Sequence, residues 1–419
     1  MRVLGTSVDS IDKCEDRHKF SALLDKLKID QPLWTESKKL SEAIEFAEEV
    51  GYPVLVRPSY VLSGAAMRVA YDKKTLEDFL QKATDISQDA PVVISKFERN
   101  AKEIEIDAVA HKGQLVIYAV AEHIENAGVH SGDATIVLPP QRLYLETIKR
   151  IKNISKAIAK ELEISGPFNI QFLARNNEVK VIECNLRASR SFPFSSKVTG
   201  YNFIEIATYS MLDHGNMANI KKIPYKTLEL DHIGIKAAQF SFTRLKGADP
   251  TLGVEMASTG EVATFGDDLH EALLKSLLSV GFTIPKKNIL VTIGPEKDKI
   301  DLIEPMRQLT EMGYKLFATR GTHEVFKNHK IASKMLHKIS TKESPNLDEY
   351  LLEKKVDLVI NIPSSYSQEE VTDGYLIRRR AIDSNIPLIT NKQITELLIE
   401  ALQKYKLEDL KVKAWGEYL

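Results

Sequence analysis

Glu183 and Asn185 stand two residues apart at the end of an apolar strand, Val179 to Ile182, and Arg187 and Arg190 follow within five residues. Side chains at i and i+2 of a strand share a face. The carboxylate and the carboxamide can therefore offer oxygens to one hard cation, while the arginines hold the anion that the cation bridges. Upstream, Gly166 to Phe172 reads as the antiparallel partner strand and adds Gln171 as a third ligand. Such oxygen donors, completed by phosphate and water, make the octahedral arrangement of magnesium at about 2.0–2.1 Å. A strand end with a surface carboxylate and solvated arginines would have the same spacing, so spacing alone leaves both readings open. Cys184, between the two ligands, should alternate to the packed face as a buried structural thiol.

Three further stretches have the chemistry of anion sites. In Arg57-Pro-Ser-Tyr-Val-Leu-Ser-Gly-Ala-Ala-Met67, small residues let backbone N–H groups approach phosphate oxygens, and Arg57 supplies a planar fork. A plain hairpin connection would read the same. Glu122 to Asp133 is a polar connection in which Gly128 and Gly132 flank His130, Ser131 and Asp133. His123 and His130, seven apart, have no metal spacing, so the choice lies between positioning phosphate and closing hydrogen bonds in a loop. Ala318 to Thr322 joins a strand to a helix, a phosphate cradle that Lys338 and Asn361 could complete; an ordinary Thr N-cap is the alternative. No nucleophile with a base accompanies it, which points to a binding site.

The elements that must position these groups fall into two parts. Before residue 286 come helices Asp16–Leu27, Ser41–Glu49, Lys73–Thr84 and Tyr144–Leu162. With them run strands Pro53–Arg57, Met67–Tyr71, Pro91–Phe97, Glu103–Ala110 and Leu115–Glu122, an α+β pattern with a largely antiparallel sheet. From Lys287 strands and helices alternate as in a Rossmann-like α/β domain, with ligands expected at the carboxyl ends of the strands. The length of 419 residues suits two or three domains. With 57 basic and 58 acidic residues the net charge is −1, which provides no field for nucleic acid or an anionic membrane. Two cysteines without a CxxC argue against structural zinc and for a reducing cytoplasm. No signal peptide or long apolar span is present, so a soluble, cytoplasmic protein is expected.

Taken together, the segments resemble the carboxy-terminal half of the carbamoyl-phosphate synthetase large chain. The matching residues are Gly5-Thr-Ser, Asp9-Ser-Ile-Asp12, Glu15-Asp-Arg17, Arg57-Pro-Ser-Tyr60, Glu122-His-Ile-Glu125, Ala127 to Asp133 and Gly166-Pro-Phe-Asn169. Ile182 to Arg190, Gly247-Ala-Asp-Pro250 and Met256 to Val262 extend the match. The resemblance implies an ATP-grasp domain over residues 1–280, which phosphorylates carbamate with MgATP, and a methylglyoxal-synthase-like regulatory domain over 281–419. It implies Gln171, Glu183 and Asn185 as metal ligands, for magnesium or manganese, with Gln171 and Glu183 also serving the nucleotide. Arg17 and Arg57 would hold ATP phosphates, Glu103 the ribose hydroxyls, and Gly128, Val129, His130 and Ser131 the nucleotide loop. Arg187 and Arg190 would lie near the phosphoryl group and the carbamate, with His130 counted among the catalytic groups. Lys299, Thr319, Thr322, Lys338 and Asn361 match positions for a phosphate-bearing effector such as UMP. The places that carry tryptophan and asparagines in acetylglutamate-controlled members read here as Leu336 or His337, Ser364 and Gly374. Smaller departures are Val8, Arg68, Arg99-Asn100, and Ser195 where valine is usual.

The same resemblance implies partners. A full large chain is more than twice this length, so an amino-terminal synthetase half and a glutaminase subunit are expected to supply carbamate. The competing expectation is a truncated chain that binds nucleotide and effector without turnover. A biotin-dependent carboxylase is a third reading, disfavoured by the Ala127–Asp133 loop.

Overall fold

The structure is a computed structural model that describes residues 4–37, 39–58, 67–86, 92–212, 230–341, 343–363 and 368–419. The small-residue stretch 59–66 and Ser364 lie outside the described residues. Contacts divide the chain into two compact units: residues 1–236, 253–256 and 413–419 in one, and 237–252 with 257–412 in the other.

In the first unit, strands β1 (Trp34–Ser37), β2 (Val54–Pro58), β3 (Arg68–Ala70) and β4 (Val92–Lys96) form a small antiparallel sheet in the order β1-β4-β2-β3. Val54, Val56, Ala70 and Ile94 bury one face against Ala43, Ala47, Leu76 and Leu80 of helices Leu40–Val50 and Lys73–Ile86. The main sheet contains β5 (Lys102–His111), β6 (Gln114–Asn126), β7 (Ile136–Leu138), β8 (Gly166–Arg175), β9 (Glu178–Asn185) and β10 (Ile233–Gln239), ordered β10-β7-β6-β5-β8-β9. Its long strands are antiparallel.

Alternation sorts this sheet into two faces. Ile104, Ile106 and Ala108 of β5, with Phe168, Ile170 and Phe172 of β8, pack on Ile151, Ile158 and Ala159 of helix Leu145–Glu161. The intervening residues Glu103, Glu105 and Asp107, with Asn169 and Gln171, therefore face the other way. Strand β9 needs a correction to simple alternation, because Val179 and Val181 belong to the apolar face and would drag Glu183 with them. A bulge prevents this: Phe172 pairs with Val181 but Gln171 with Glu183, so Ile182 is the extra residue. Beyond it Glu183 and Asn185 turn to the polar face, and Cys184 joins the apolar cluster as expected.

Phe172 is fully buried at the centre of this core. Phe172→Ala should cost about 3–5 kcal/mol, a large share of the roughly 5–15 kcal/mol available to a domain. Urea unfolding followed in the first unit checks the value.

The second unit is built on a five-stranded parallel sheet: β12 (Asn288–Ile293), β13 (Lys315–Ala318), β14 (Ser333–Met335), β15 (Leu358–Ile362) and β16 (Leu388–Ile389), ordered β14-β13-β12-β15-β16. The order reverses between β12 and β15, the usual crevice for a ligand in such sheets. Residues 260–266 form β11 (Gly260–Gly266), followed by helix Leu269–Ser279, so the change of rhythm expected near residue 286 falls inside this unit. Among the described residues no helix is long and apolar enough to cross a membrane.

Candidate active site

Two rows of polar side chains cross the polar face of the main sheet. Register places Glu105 opposite Gln171 and Gln171 opposite Glu183; the next row is Asp107, Asn169 and Asn185. The sequence-predicted set Gln171, Glu183 and Asn185 is thus brought together. Asn185 Nδ2 donates to Glu183 Oε1 at 3.0 Å, and Gln171 Nε2 donates to Ser131 Oγ at 3.0 Å. With that nitrogen engaged, the carboxamide oxygen is the Gln171 atom that can serve as a ligand. Arg187 Nη2 donates to Asn185 Oδ1 at 3.3 Å. Arg17, half-buried, donates to the carbonyl of Ile182, the bulge residue, so it braces the kink that turns Glu183 outward. Burial pulls its pKa below the ordinary value, and the Glu183 charge opposes that shift.

The loop after β6 closes another side. The polar segment begins within the strand rather than as a connection, because β6 runs on to Asn126. His130 N donates to Gly253 O at 2.8 Å, and Gly132 N donates to His130 Nδ1 at 3.0 Å. Gly128 sits at φ +118°, and a Cβ there would meet Phe97 at 3.0 Å, so that position favours glycine. Glu103 accepts from the Gly128 backbone. Arg190 Nη1 lies 3.0 Å from Met256 Sδ, and its charge reaches His130. Arg57, at the end of β2, keeps a buried Nε without a partner.

Sequence reasoning assigned no role to four buried groups here, Glu105, Asp107, Glu125 and Lys236; His123, weighed there only as a loop histidine, is buried beside them. The signal was available in β5, where Glu103, Glu105 and Asp107 alternate with apolar residues. Lys236 Nζ donates to Ser131 O at 3.0 Å from β10. Burial and neighbouring carboxylates, Glu183 first among them, push Glu103 up to about 8. Burial and the Asp107 charge raise Glu105 to about 7, and burial raises Glu125 to about 7. His123 is pushed down to about 3 by burial and Lys236. Its Nε2 and Glu105 Oε1 are buried without partners. A face with several carboxylates whose ionisation is opposed by burial and mutual repulsion suits a divalent cation. Among the described residues no three His, Cys, Asp or Glu side chains converge as a metal site. The set Gln171, Glu183 and Asn185, one carboxylate with two carboxamides, has the hard oxygen donors that magnesium takes.

These shifts carry a sign. A carboxyl whose folded pKa lies above its unfolded value stabilises the fold at low pH and loses that contribution as pH rises through the folded pKa. His123, with its pKa lowered, costs stability only below its ordinary value of 6.5. Without ligand, the first unit's unfolding midpoint should therefore fall as pH rises from the ordinary carboxyl value of 4.5 to the highest folded value, about 8, with His123 partly opposing the fall below 6.5; Glu103→Gln reduces the slope, and thermal scans across that range check it.

In the second unit the predicted effector residues are partly engaged. Asn361 lies inside β15, not after it, opposite Thr292 of β12, and Asn361 Nδ2 donates to Thr292 Oγ1 at 2.5 Å. Thr322 is buried inside helix Arg320–Asn328, where its hydroxyl accepts from Ile293 N at 3.1 Å. It is a strut between helix and sheet, and Thr319 occupies the N-cap position. Lys299 is buried with its ammonium on Glu296, and Lys338 pairs with Asp373 at 3.0 Å. Arg378, missed in the sequence within the run Arg378-Arg379-Arg380, donates to Asn361 Oδ1 at 2.8 Å and grips Asp249 at 2.5 and 2.7 Å.

Residues 16–212 match the family described as carbamoyl-phosphate synthase L chain, ATP binding domain, and residues 301–390 match the MGS-like domain. A multifunctional protein of Saccharomyces cerevisiae is 52% identical over 413 residues, covering 96% of this chain and 18% of that protein. The carbamoyl phosphate synthase arginine-specific large chain of Cutaneotrichosporon cutaneum is 48% identical over 96% of this chain and 35% of its own length. Human mitochondrial carbamoyl-phosphate synthase [ammonia] is 46% identical over 98% of this chain and 28% of its own. The chain thus spans from 18% to 35% of the length of these relatives. In fold, a biotin carboxylase of Campylobacter jejuni aligns at TM-score 0.53 with 18% identity, over 65% of this chain and 67% of that one. A 2-oxoglutarate carboxylase domain of Hydrogenobacter thermophilus, solved with MgADP and bicarbonate, aligns at 0.53 with 17% identity, over 66% of this chain and 68% of that one. With an ATP-grasp module followed by an MGS-like module, and about half its residues shared along nearly its whole length, this chain is homologous to the carboxy-terminal portion of carbamoyl-phosphate synthase large chains.

Proposed function

We propose that the first unit phosphorylates carbamate with MgATP to give carbamoyl phosphate, and that the second unit binds a phosphate-bearing effector. The observation that carries the first part is the row Glu105–Gln171–Glu183, next to the Asn185 row and Arg187, on one face of the main sheet. Gln171, Glu183 and Asn185 would hold magnesium, or manganese, which neutralises phosphate charge when bound. Arg57 and Arg17 lend positive charge to the ATP phosphates, and Glu103 faces the ribose hydroxyls. Gly128, Val129, His130 and Ser131 shape the nucleotide loop. Arg187 and Arg190 orient the carbamate and the transferring phosphoryl group.

Phosphoryl transfer depends on positioning and charge neutralisation more than on covalent chemistry. A carbamate oxygen is already anionic. It forms a bond to the γ-phosphorus as the bond to ADP breaks, and no proton is removed, so no general base is needed. Ammonium carbamate with MgATP should yield ADP and carbamoyl phosphate in equal amounts. ADP formation that does not respond to carbamate would count against the assignment.

Carbamate supply by an amino-terminal synthetase half and a glutaminase subunit belongs to the same proposal. It is supported by the much greater length of the relatives. A role in pyrimidine or arginine synthesis accords with the relatives' names, and two free thiols support a reducing, cytoplasmic setting. For the effector, Asn361 lies with Arg378 beside the strand-order reversal, Lys338 pairs with Asp373 of the helix that carries Arg378, and Lys299 approaches Gly321, whose Cβ would come within 3.6 Å of the ammonium. Calorimetry with UMP should show binding that Lys338→Ala weakens by about tenfold, the loss of one charge-assisted bond. UMP heats unchanged by the substitution would remove Lys338 from the site.

A further inference from the structure

The loop that carries Arg187 and Arg190 has no regular structure until helix Phe192–Thr199 begins. The helix has no side-chain cap from Ser191. Something else must hold two long cationic side chains in register with Glu183 and Asn185. The fastening comes from Asp107, which is 2% exposed on the polar face of β5. Its Oδ1 accepts from Ser189 Oγ at 2.6 Å and from Asn169 Nδ2 at 2.9 Å, and its Oδ2 accepts from Ser195 Oγ at 2.7 Å.

We propose that Asp107 is the positioning residue of the arginine loop. Its carboxylate ties the middle of the loop through Ser189 and the first turn of the following helix through Ser195, and references both to β8 through Asn169. The inference rests on the phosphoryl-transfer reading of the site. Asp107 touches none of the reacting atoms in that reading and acts through Arg187 and Arg190.

The arrangement has a charge logic. Three donors converge on one buried carboxylate, and hydrogen bonds to an ionised acceptor are stronger than neutral ones. Ser191 bonds Glu105, and its hydroxyl lies 2.9 Å from that of Ser189. Three serines of the stretch 189–195 are thus fastened to β5. Ser195 gives the second oxygen of Asp107 a donor that an apolar side chain at that position could not provide. Neither serine would attract notice in the sequence, because a Ser-rich turn after a strand reads as solvated loop.

The test compares the full chain with its Asp107→Asn and Ser195→Val variants by two measurements. The first is amide hydrogen exchange resolved to residues 186–196. Asp107→Asn should speed exchange there by tenfold or more while β5 and β8 keep their protection. Ser195→Val, which removes one of the three bonds, should speed it by a few-fold. The second is ATP formation from MgADP and carbamoyl phosphate. Asp107→Asn should raise KM for carbamoyl phosphate and lower kcat, together about a hundredfold in kcat/KM, with KM for MgADP within a factor of two. Unchanged exchange in 186–196 overturns the proposal, as does a loss of protection spread evenly over the unit, because either result makes Asp107 an ordinary core polar group. Faster exchange confined to the loop, with no ATP formation by the unsubstituted chain, would leave the positioning role standing and fail the phosphoryl-transfer reading instead. A rise in KM for MgADP equal to that for carbamoyl phosphate overturns the claim that Asp107 acts through the arginines.

Discussion

Glu183→Gln should lower ATP formation from MgADP and carbamoyl phosphate by on the order of 10²–10³-fold, the loss typical when one preorganised charge partner of a transition state is removed. Glutamine keeps the length and one oxygen but not the charge. Asn185 Nδ2, which bonds Glu183 Oε1 at 3.0 Å, would keep at most a neutral acceptor there. The fold should survive, because Glu183 sits on the polar face and the Ile182 bulge is braced separately by Arg17. A secondary effect goes in a definite direction. The Glu183 charge is among the causes that raise Glu103, so in the variant Glu103 ionises at a lower pH. Initial rates at saturating magnesium and a pH titration of apo stability test both statements. An unfolding midpoint unchanged at low pH, with lost turnover, is the expected pair.

Arg190→Ala should cost about a hundredfold in kcat/KM for carbamoyl phosphate, near the lower end of the range for losing one such charge. Arg190 reaches the site from the loop between β9 and helix Phe192–Thr199, and its charge is felt at His130. The effect should fall on carbamoyl phosphate and not on MgADP, since the nucleotide loop is held by its own backbone bonds to Gly253 and within residues 130–134. Lysine should rescue little, because a point charge lacks the planar fork of arginine. Steady-state kinetics of Arg190→Ala and Arg190→Lys, varying each substrate in turn, separate these outcomes.

Much of this site was legible in the chain because its ligands lie close in sequence and on alternating strands. The pairing of Gly166–Phe172 with the strand before Glu183 follows from two apolar runs and a short turn, and the register confirms it. The parallel sheet of the second unit was equally readable, because strands and helices alternate with regular hydrophobic periods. The bulge at Ile182 was not readable. Plain alternation from Val179 and Val181 would bury Glu183, and only pairing with β8 shows where the extra residue sits. Thr322 misled for a different reason. A threonine near a helix start suggests a cap or a phosphate ligand, but the helix starts earlier, at Arg320, and turns Thr322 into the core. Asp107 and Lys236 were invisible because their partners, Ser195 and Ser131, are distant in sequence and common in type.

The polar face also explains why the unliganded first unit should be pH-sensitive. Glu103, Glu105 and Glu125 are each held above the ordinary carboxylate range mainly by burial. Lys236 moderates Glu105 and Glu125, and the neutral His123 contributes no charge above its depressed pKa of about 3. A bound divalent cation would favour the ionised carboxylates. The downward slope of stability with pH should therefore flatten when MgADP is present.

The central claim, that this chain transfers a phosphoryl group between ATP and carbamate, is tested most directly in the reverse direction. Purified protein is mixed with MgADP and carbamoyl phosphate, and ATP is measured against time, alone and with an amino-terminal synthetase half and glutaminase supplied. ATP should form only with both substrates and a divalent cation present, and Glu183→Gln should lower its rate by on the order of 10²–10³-fold. No ATP above the Glu183→Gln background, with the partner proteins present and calorimetry showing that MgADP binds, would contradict it.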